Sequence, residues 1–156
     1  MKTLILSTVI ALFATPLLAC ETFTLGDLTI ERAWSKATIG AARPGVFYVE
    51  ITNSGDADDA LVSIATPAAG MPMLHETVVT DGVASMPHAM SIPVPAGQSV
   101  ALAPGGYHGM LMGLTMALTE GDSFPMTLSF QNGGEIVVNV AVLPLRAEGP
   151  DCDDAN

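Results

Sequence analysis

The sequence predicts a single all-β domain, a sandwich or a barrel, on three observations. Short apolar segments rich in Val, Ile, Thr and aromatic residues recur along the chain. Gly, Pro, Asn and Asp separate these segments at close intervals, as turns require. No segment has the long 3.6-residue apolar period of an amphipathic helix. Because neither a repeat nor a linker is visible, one domain is expected.

Each strand is predicted where an apolar segment is bounded by turn residues. The ten predicted strands, in chain order, are 22–25, 28–34, 45–52, 60–66, 73–79, 83–86, 99–102, 107–112, 124–130 and 135–143. The clearest turns are Gly26-Asp27, Asn53-Ser54-Gly55-Asp56, Asp81-Gly82, Pro95-Ala96-Gly97, Pro104-Gly105-Gly106 and Asn132-Gly133-Gly134. This spacing is typical of an all-β sandwich.

The first nineteen residues are predicted to be a cleaved export signal. Lys2 supplies a positive start, residues 4–18 are mainly apolar, and Ala19 offers a small residue for cleavage. The apolar run is too short to span a bilayer comfortably, so no membrane insertion is expected from it. The predicted domain is 20–145, followed by an acidic tail, 146–156. Sixteen acidic residues against five Lys and Arg give a net charge of −11, which argues against nucleic acid as a partner.

The two cysteines stand at opposite ends of the predicted mature chain. An oxidising compartment permits Cys20 and Cys152 to form a disulfide that would join the termini. The alternative is that Leu17-Leu18-Ala19-Cys20 is a lipoprotein cleavage site, with Cys20 as the lipid anchor. Leucine at the second of these positions fits that motif poorly, and Cys152 would then be an odd thiol.

Methionine and histidine are concentrated in one stretch of the chain. Eight of the nine methionines lie between Met71 and Met126, and the same stretch contains all three histidines, His75, His88 and His108. Thioether sulfur and imidazole nitrogen are neutral ligands that suit monovalent copper. In His108-Gly109-Met110 a strand places both ligands on the same face.

The Asp81-Gly82 pair predicts a hairpin that brings two candidate ligands together. A two-residue type I′ turn pairs Thr80 with Val83. The same register then places His75 opposite His88 and leaves Met86 diagonal to His75, within reach of one ion.

The spacing of four of these residues resembles the copper-binding motif of the periplasmic copper chaperones known as the PCu(A)C family. Ten residues separate His75 from Met86, twenty-one separate Met86 from His108, and one separates His108 from Met110. The flanking segments that also match the family pattern are Leu28-Thr29-Ile30-Glu31, Ala33-Trp34, Leu74-His75-Glu76, Asp81-Gly82-Val83, Pro95-Ala96-Gly97, Pro104-Gly105-Gly106-Tyr107-His108, Met110-Leu111-Met112-Gly113-Leu114 and Glu120-Gly121-Asp122.

The resemblance implies a cupredoxin-like Greek-key β-sandwich that binds one Cu(I) through His75, Met86, His108 and Met110. It also implies a periplasmic chaperone that delivers copper for assembly of the CuA centre of cytochrome c oxidase. The copper-accepting partner would be oxidase subunit II or a Sco-type thiol protein. A monomer is expected.

The chain departs from the family pattern at two places. Many relatives carry a His- and Met-rich tail with a second copper site, whereas this chain ends Asp151-Cys152-Asp153-Asp154-Ala155-Asn156. His88 and Met90 form an additional His-x-Met, which is interpreted as spare ligands, an entry path that passes copper inward, or an exposed loop. The remaining five methionines, Met71, Met73, Met112, Met116 and Met126, are interpreted as core packing or partly surface residues.

Three other functions compete with the chaperone, one of them a plain extracellular binding module whose Met/His cluster is incidental. A periplasmic copper-buffering or resistance protein would have the same site and no dedicated oxidase client. A blue-copper electron carrier needs a Cys thiolate among its ligands, and both cysteines lie far in sequence from the ligand segments. No enzyme is expected, because the chain has no nucleophile elbow, paired-carboxylate motif or His-Glu-x-x-His signature.

Overall fold

The computed structural model describes residues 18–152 and confirms the all-β fold. Most of the predicted signal, residues 1–17, lies outside the described residues, as does the end of the predicted tail, 153–156. Leu18–Cys20 form one 3₁₀ turn. The twelve strands are β1 Phe23–Leu25, β2 Leu28–Lys36, β3 Gly45–Asn53, β4 Asp59–Ala65, β5 Ala69–Glu76, β6 Val78–Thr80, β7 Val83–Ser85, β8 Ile92–Val94, β9 Ser99–Leu102, β10 Tyr107–Leu114, β11 Ser123–Phe130 and β12 Gly134–Leu143.

Two strands differ from the sequence prediction in ways that have physical causes. The predicted strand 73–79 is divided into β5, which ends at Glu76, and β6, which begins at Val78. The partner strand β10 begins only at Tyr107, so the β5–β10 ladder ends with the bond from the Thr77 amide to the Gly106 carbonyl, and β6 pairs with β7 instead. Strand β8 is absent from the sequence prediction and has Pro93 at its centre. It pairs only with β4 at the end of the sheet order, where proline is tolerated.

Ten strands form one curled sheet and the β6–β7 hairpin forms a second. The main sheet has the order β5-β10-β9-β3-β2-β12-β11-β4-β8, with β1 added beside β2 and β10 also pairing with β3. Its inner face encloses one apolar core, whose fully buried side chains include Phe47, Leu61, Leu111, Met126 and Leu128. No helix in residues 18–152 is long and apolar enough to cross a membrane.

A second, smaller apolar cluster lies on the outside of the sheet. Trp34 and Tyr48, partners on β2 and β3, have ring centroids 4.6 Å apart, and Ala19 and Ala141 are buried with them. Beside this cluster a disulfide joins Cys20 to Cys152, with their Cα atoms 5.5 Å apart. The two ends of the described chain are therefore held against β2 and β12.

Gly109 is a position where the fold leaves no room for a side chain. A Cβ atom there would lie 2.8 Å from Ile64 Cδ1 and 3.0 Å from Phe47 Cβ. We expect Gly109→Ala to lower the free energy of unfolding by about 1–3 kcal/mol, because the core must shift to admit the methyl group. Denaturant unfolding measures the change. Gly70→Ala is the matched control, since its nearest neighbour beyond its own segment is an oxygen at 3.6 Å. Equal stability of the two variants would contradict the prediction.

Candidate metal centre

The hairpin that was predicted from Asp81-Gly82 forms in the expected register. Both residues have positive φ angles, 53° and 79°, as a type I′ turn requires. Thr80 pairs with Val83, and the same register continues to an isolated bridge between His75 and His88. The segment that carries Met86 therefore runs antiparallel beside the last residues of β5.

Strands β5 and β10 bring two candidate histidines together. Their antiparallel register places His108 directly opposite His75 and Met110 directly opposite Met73. Side chains at alternate positions share a face, so these four residues lie on the outer face of the ladder. Leu74 and Gly109, which face the core, separate them along the strands. The rings of His75 and His108 are stacked with centroids 5.9 Å apart.

Hydrogen bonds indicate the tautomers of both imidazoles. His75 Nδ1 lies 2.9 Å from the Met86 carbonyl oxygen, and His108 Nδ1 lies 3.1 Å from the Gly106 carbonyl oxygen. A carbonyl oxygen only accepts, so each Nδ1 carries the proton and donates it. In the neutral form of each ring, the lone pair is then on Nε2, the arrangement that histidine metal ligands commonly use. His75 Nε2 is buried and has no hydrogen-bond partner among the described residues.

Three of the four candidate ligands line one open cavity of about 580 Å³. Met86, His108 and Met110 border it together with β3 residues Val46 and Tyr48. Met86 is 52% exposed, Met110 is half-buried and His108 is buried. His75 lies beside the cavity, with its ring stacked on that of His108. Two thioethers and two imidazoles are thus grouped at one surface depression.

In the described part of the chain, the lining of this cavity carries one fixed charge, which is positive. Of the described residues that line it, Arg43 alone is charged. Burial raises the pKa of the Tyr48 phenol above its ordinary value, so this group stays protonated and is not an anionic ligand. Among residues 18–152, no group of three or more His, Cys, Asp or Glu side chains is arranged to hold a metal. A metal site here therefore depends on the methionines.

The additional His-x-Met pair occupies the edge of the site. The ring of His88 is 5.8 Å from that of His75, centroid to centroid, in an edge-on orientation. Both His88 and Met90 are exposed, Met90 by 81%. Their participation as ligands stays a prediction.

The five other methionines, interpreted as core packing or partly surface residues, divide between the core and the surface. Met126 is fully buried in the core, whereas Met71 is 58% exposed and Met116 is 67% exposed. Met73 and Met112 are half-buried on the outer face of the β5–β10 ladder. The sequence signal that places Met73 beside the site is its position two residues before His75, on the same face of one strand.

Comparisons with known proteins find relatives over most of the chain. The family model described as "Putative lipoprotein LpqE-like" matches residues 28–142. "Putative lipoprotein Lxx21020" from Leifsonia xyli subsp. xyli (strain CTCB07) is 38% identical over 114 residues, which cover 72% of this chain and 68% of that protein.

Solved structures show the same fold. The solution structure of copper(I)-bound DR1885 from Deinococcus radiodurans matches with a TM-score of 0.61 at 33% identity, covering 76% of this chain and 78% of that one. The apo PCuAC domain from PmoF1 matches with a TM-score of 0.67 at 28% identity, covering 78% of this chain and 98% of that one. The cupredoxin-like β fold predicted from the sequence is therefore confirmed.

Proposed function

This chain belongs to the LpqE-like family, the family of PCuAC domains, and we propose that it is an exported copper chaperone. It carries one Cu(I) between the imidazoles of His75 and His108 and the thioethers of Met86 and Met110. Two relatives support the choice of metal and compartment: the DR1885 structure is that of the Cu(I)-bound protein, and the Leifsonia protein bears the name "Putative lipoprotein Lxx21020".

The observation that carries the proposal is the unpartnered nitrogen of His75. A buried polar atom without a hydrogen bond costs about 1–3 kcal/mol. His75 Nε2 is such an atom among the described residues, and its lone pair is free because Nδ1 donates to Met86. A cation bound at this nitrogen would offset that cost. The adjacent His108 Nε2 and the two thioethers complete a set of four neutral donors.

The donor set selects monovalent copper. Thioethers are soft ligands that suit Cu(I), whereas carboxylates suit harder ions and none lines the cavity among the described residues. Both cysteines are joined in the disulfide, so neither provides a thiolate. A thioether forms no disulfide, and a His/Met site stays available in the oxidising space that the disulfide requires.

The proposed client is the CuA centre of cytochrome c oxidase, reached through subunit II or a Sco-type protein in the periplasm. Metal analysis after the Cu(I)-loaded protein is mixed with a purified apo CuA domain, in the presence of a competing chelator, tests this step. A chaperone transfers its copper to the CuA domain. Retention of copper, or its loss only to the chelator, would favour the buffering function.

The ligand assignment is tested first at Met86, which is half-exposed. We expect Met86→Leu to weaken Cu(I) binding by about tenfold or more, because an apolar side chain of similar size replaces a donor. Anaerobic titration against a chromogenic Cu(I) chelator measures the affinity. Met116→Leu is the matched control, since Met116 is similarly exposed and does not line the cavity. Unchanged affinity in Met86→Leu would remove Met86 from the set.

A further inference from the structure

The outer face of the β5–β10 ladder carries a block of methionines next to the histidine pair. The register sets three pairs side by side: His75 opposite His108, then Met73 opposite Met110, then Met71 opposite Met112. All six side chains share one face, because side chains on each strand alternate between faces. Four thioethers therefore occupy two adjacent cross-strand pairs.

Packing does not explain this block. Met71 is 58% exposed, and Met73, Met110 and Met112 are half-buried. The open face of an antiparallel sheet is normally polar, and the residues favoured in strands are β-branched or aromatic. This face instead repeats an unbranched thioether at four neighbouring positions. The core face of the same ladder is filled separately, by Leu74 and Leu111.

The spacing of the block suits one small ion. Residues directly opposite on antiparallel strands have Cβ atoms about 4.5–5.5 Å apart, and successive positions on one face are about 7 Å apart. A methionine side chain has three rotatable bonds, so sulfur atoms at the corners of such a rectangle can converge on its centre. The block also adjoins the first site directly, because Met110 belongs to both.

We propose that Met71, Met73, Met110 and Met112 form a second, thioether-only site for Cu(I). The identity of the cation rests on the proposed function, whereas the block itself follows from the strand register. It is the weaker site, since it lacks imidazole donors. When Met110 is engaged by the first ion, Met71, Met73 and Met112 remain for a three-coordinate second ion. Met110 then links the two positions, so that an ion can pass along the face by exchange of ligands.

Silver(I), a redox-inert analogue of Cu(I), tests the proposal by NMR of the apo protein with ¹³C-labelled methionine methyl groups. The first equivalent is expected to shift Met86 and Met110, and the second to shift Met71, Met73 and Met112. The buried Met126 and the exposed Met116 serve as internal references that do not shift. Saturation of the wild type at one equivalent, with the second group of signals unmoved, would overturn the proposal.

A triple variant, Met71→Leu/Met73→Leu/Met112→Leu, separates this site from the first one. It is expected to keep the first equivalent of Ag(I) and of Cu(I), with affinity within about threefold of wild type, and to lose the second. Met116→Leu is expected to keep both equivalents. A second equivalent retained by the triple variant would reject the block. If Ag(I) shifts only Met71, Met73 and Met112 in wild type and leaves Met86 unmoved, the proposed function is rejected and the second site stands.

Discussion

Leucine in place of His75 is expected to weaken Cu(I) binding by more than about 100-fold and to leave the apo protein at least as stable as wild type. Loss of a group that only orients a metal ligand typically costs 10–100-fold in affinity, and loss of the ligand itself should cost more. The stability of the apo protein depends on a different property of the same nitrogen. His75 Nε2 is buried without a partner, so its removal relieves a cost of about 1–3 kcal/mol. The lost hydrogen bond to Met86 offsets part of this gain.

Two measurements on the same sample check this pair of effects. Chelator competition gives the Cu(I) affinity, and denaturant unfolding of the metal-free protein gives the free energy of unfolding. The matched variant is His88→Leu, which removes an exposed imidazole 5.8 Å from the His75 ring. A loss of more than about 2 kcal/mol in apo His75→Leu would mean that the histidine is structural. A similar loss of affinity in His88→Leu would add His88 to the ligands.

The part of the site that depends on local sequence could be predicted. Asp81-Gly82 defines a two-residue turn, and a turn of that length sets the register of everything paired outward from it. The bridge between His75 and His88 lies five residues beyond the Thr80–Val83 pair on each side and keeps the same register. The common face of His108 and Met110 likewise follows from the alternation of side chains along a strand. Gly109, between them, faces the core and has no room for a side chain.

The pairing of β5 with β10 could not be predicted in the same way. These strands are far apart in sequence, and their contact depends on the order of the whole sheet. The consequence is visible at Met73. The predicted strand began at that residue, while β5 begins at Ala69 and carries Met71 and Met73 into the ladder opposite Met112 and Met110. Methionine also has no strong preference for strand or core, so its sequence pattern alone does not separate packing from exposure.

Serine at both Cys20 and Cys152 is expected to lower the free energy of unfolding by about 2–5 kcal/mol. The two residues are separated by 132 positions, so the disulfide closes almost the whole described chain as one loop and strongly restricts the unfolded state. It also holds the chain ends against the outer cluster of Trp34 and Tyr48. Trp34 is the only tryptophan, so its fluorescence during denaturant unfolding reports this region directly.

The same double variant separates stability from copper binding. The disulfide does not line the cavity; Tyr48 of the outer cluster and Val46 of β3, which packs against that cluster, both border the cavity. Cu(I) affinity is therefore expected to stay within about tenfold of wild type, far from the loss in His75→Leu. An affinity loss as large as that of His75→Leu would mean that the disulfide is needed to position the copper ligands. The mass of the exported wild-type protein provides a chemical control. The Cys20 sulfur cannot carry a lipid and a disulfide together. A mass increase equal to a lipid would therefore mean that this disulfide does not form in the cell.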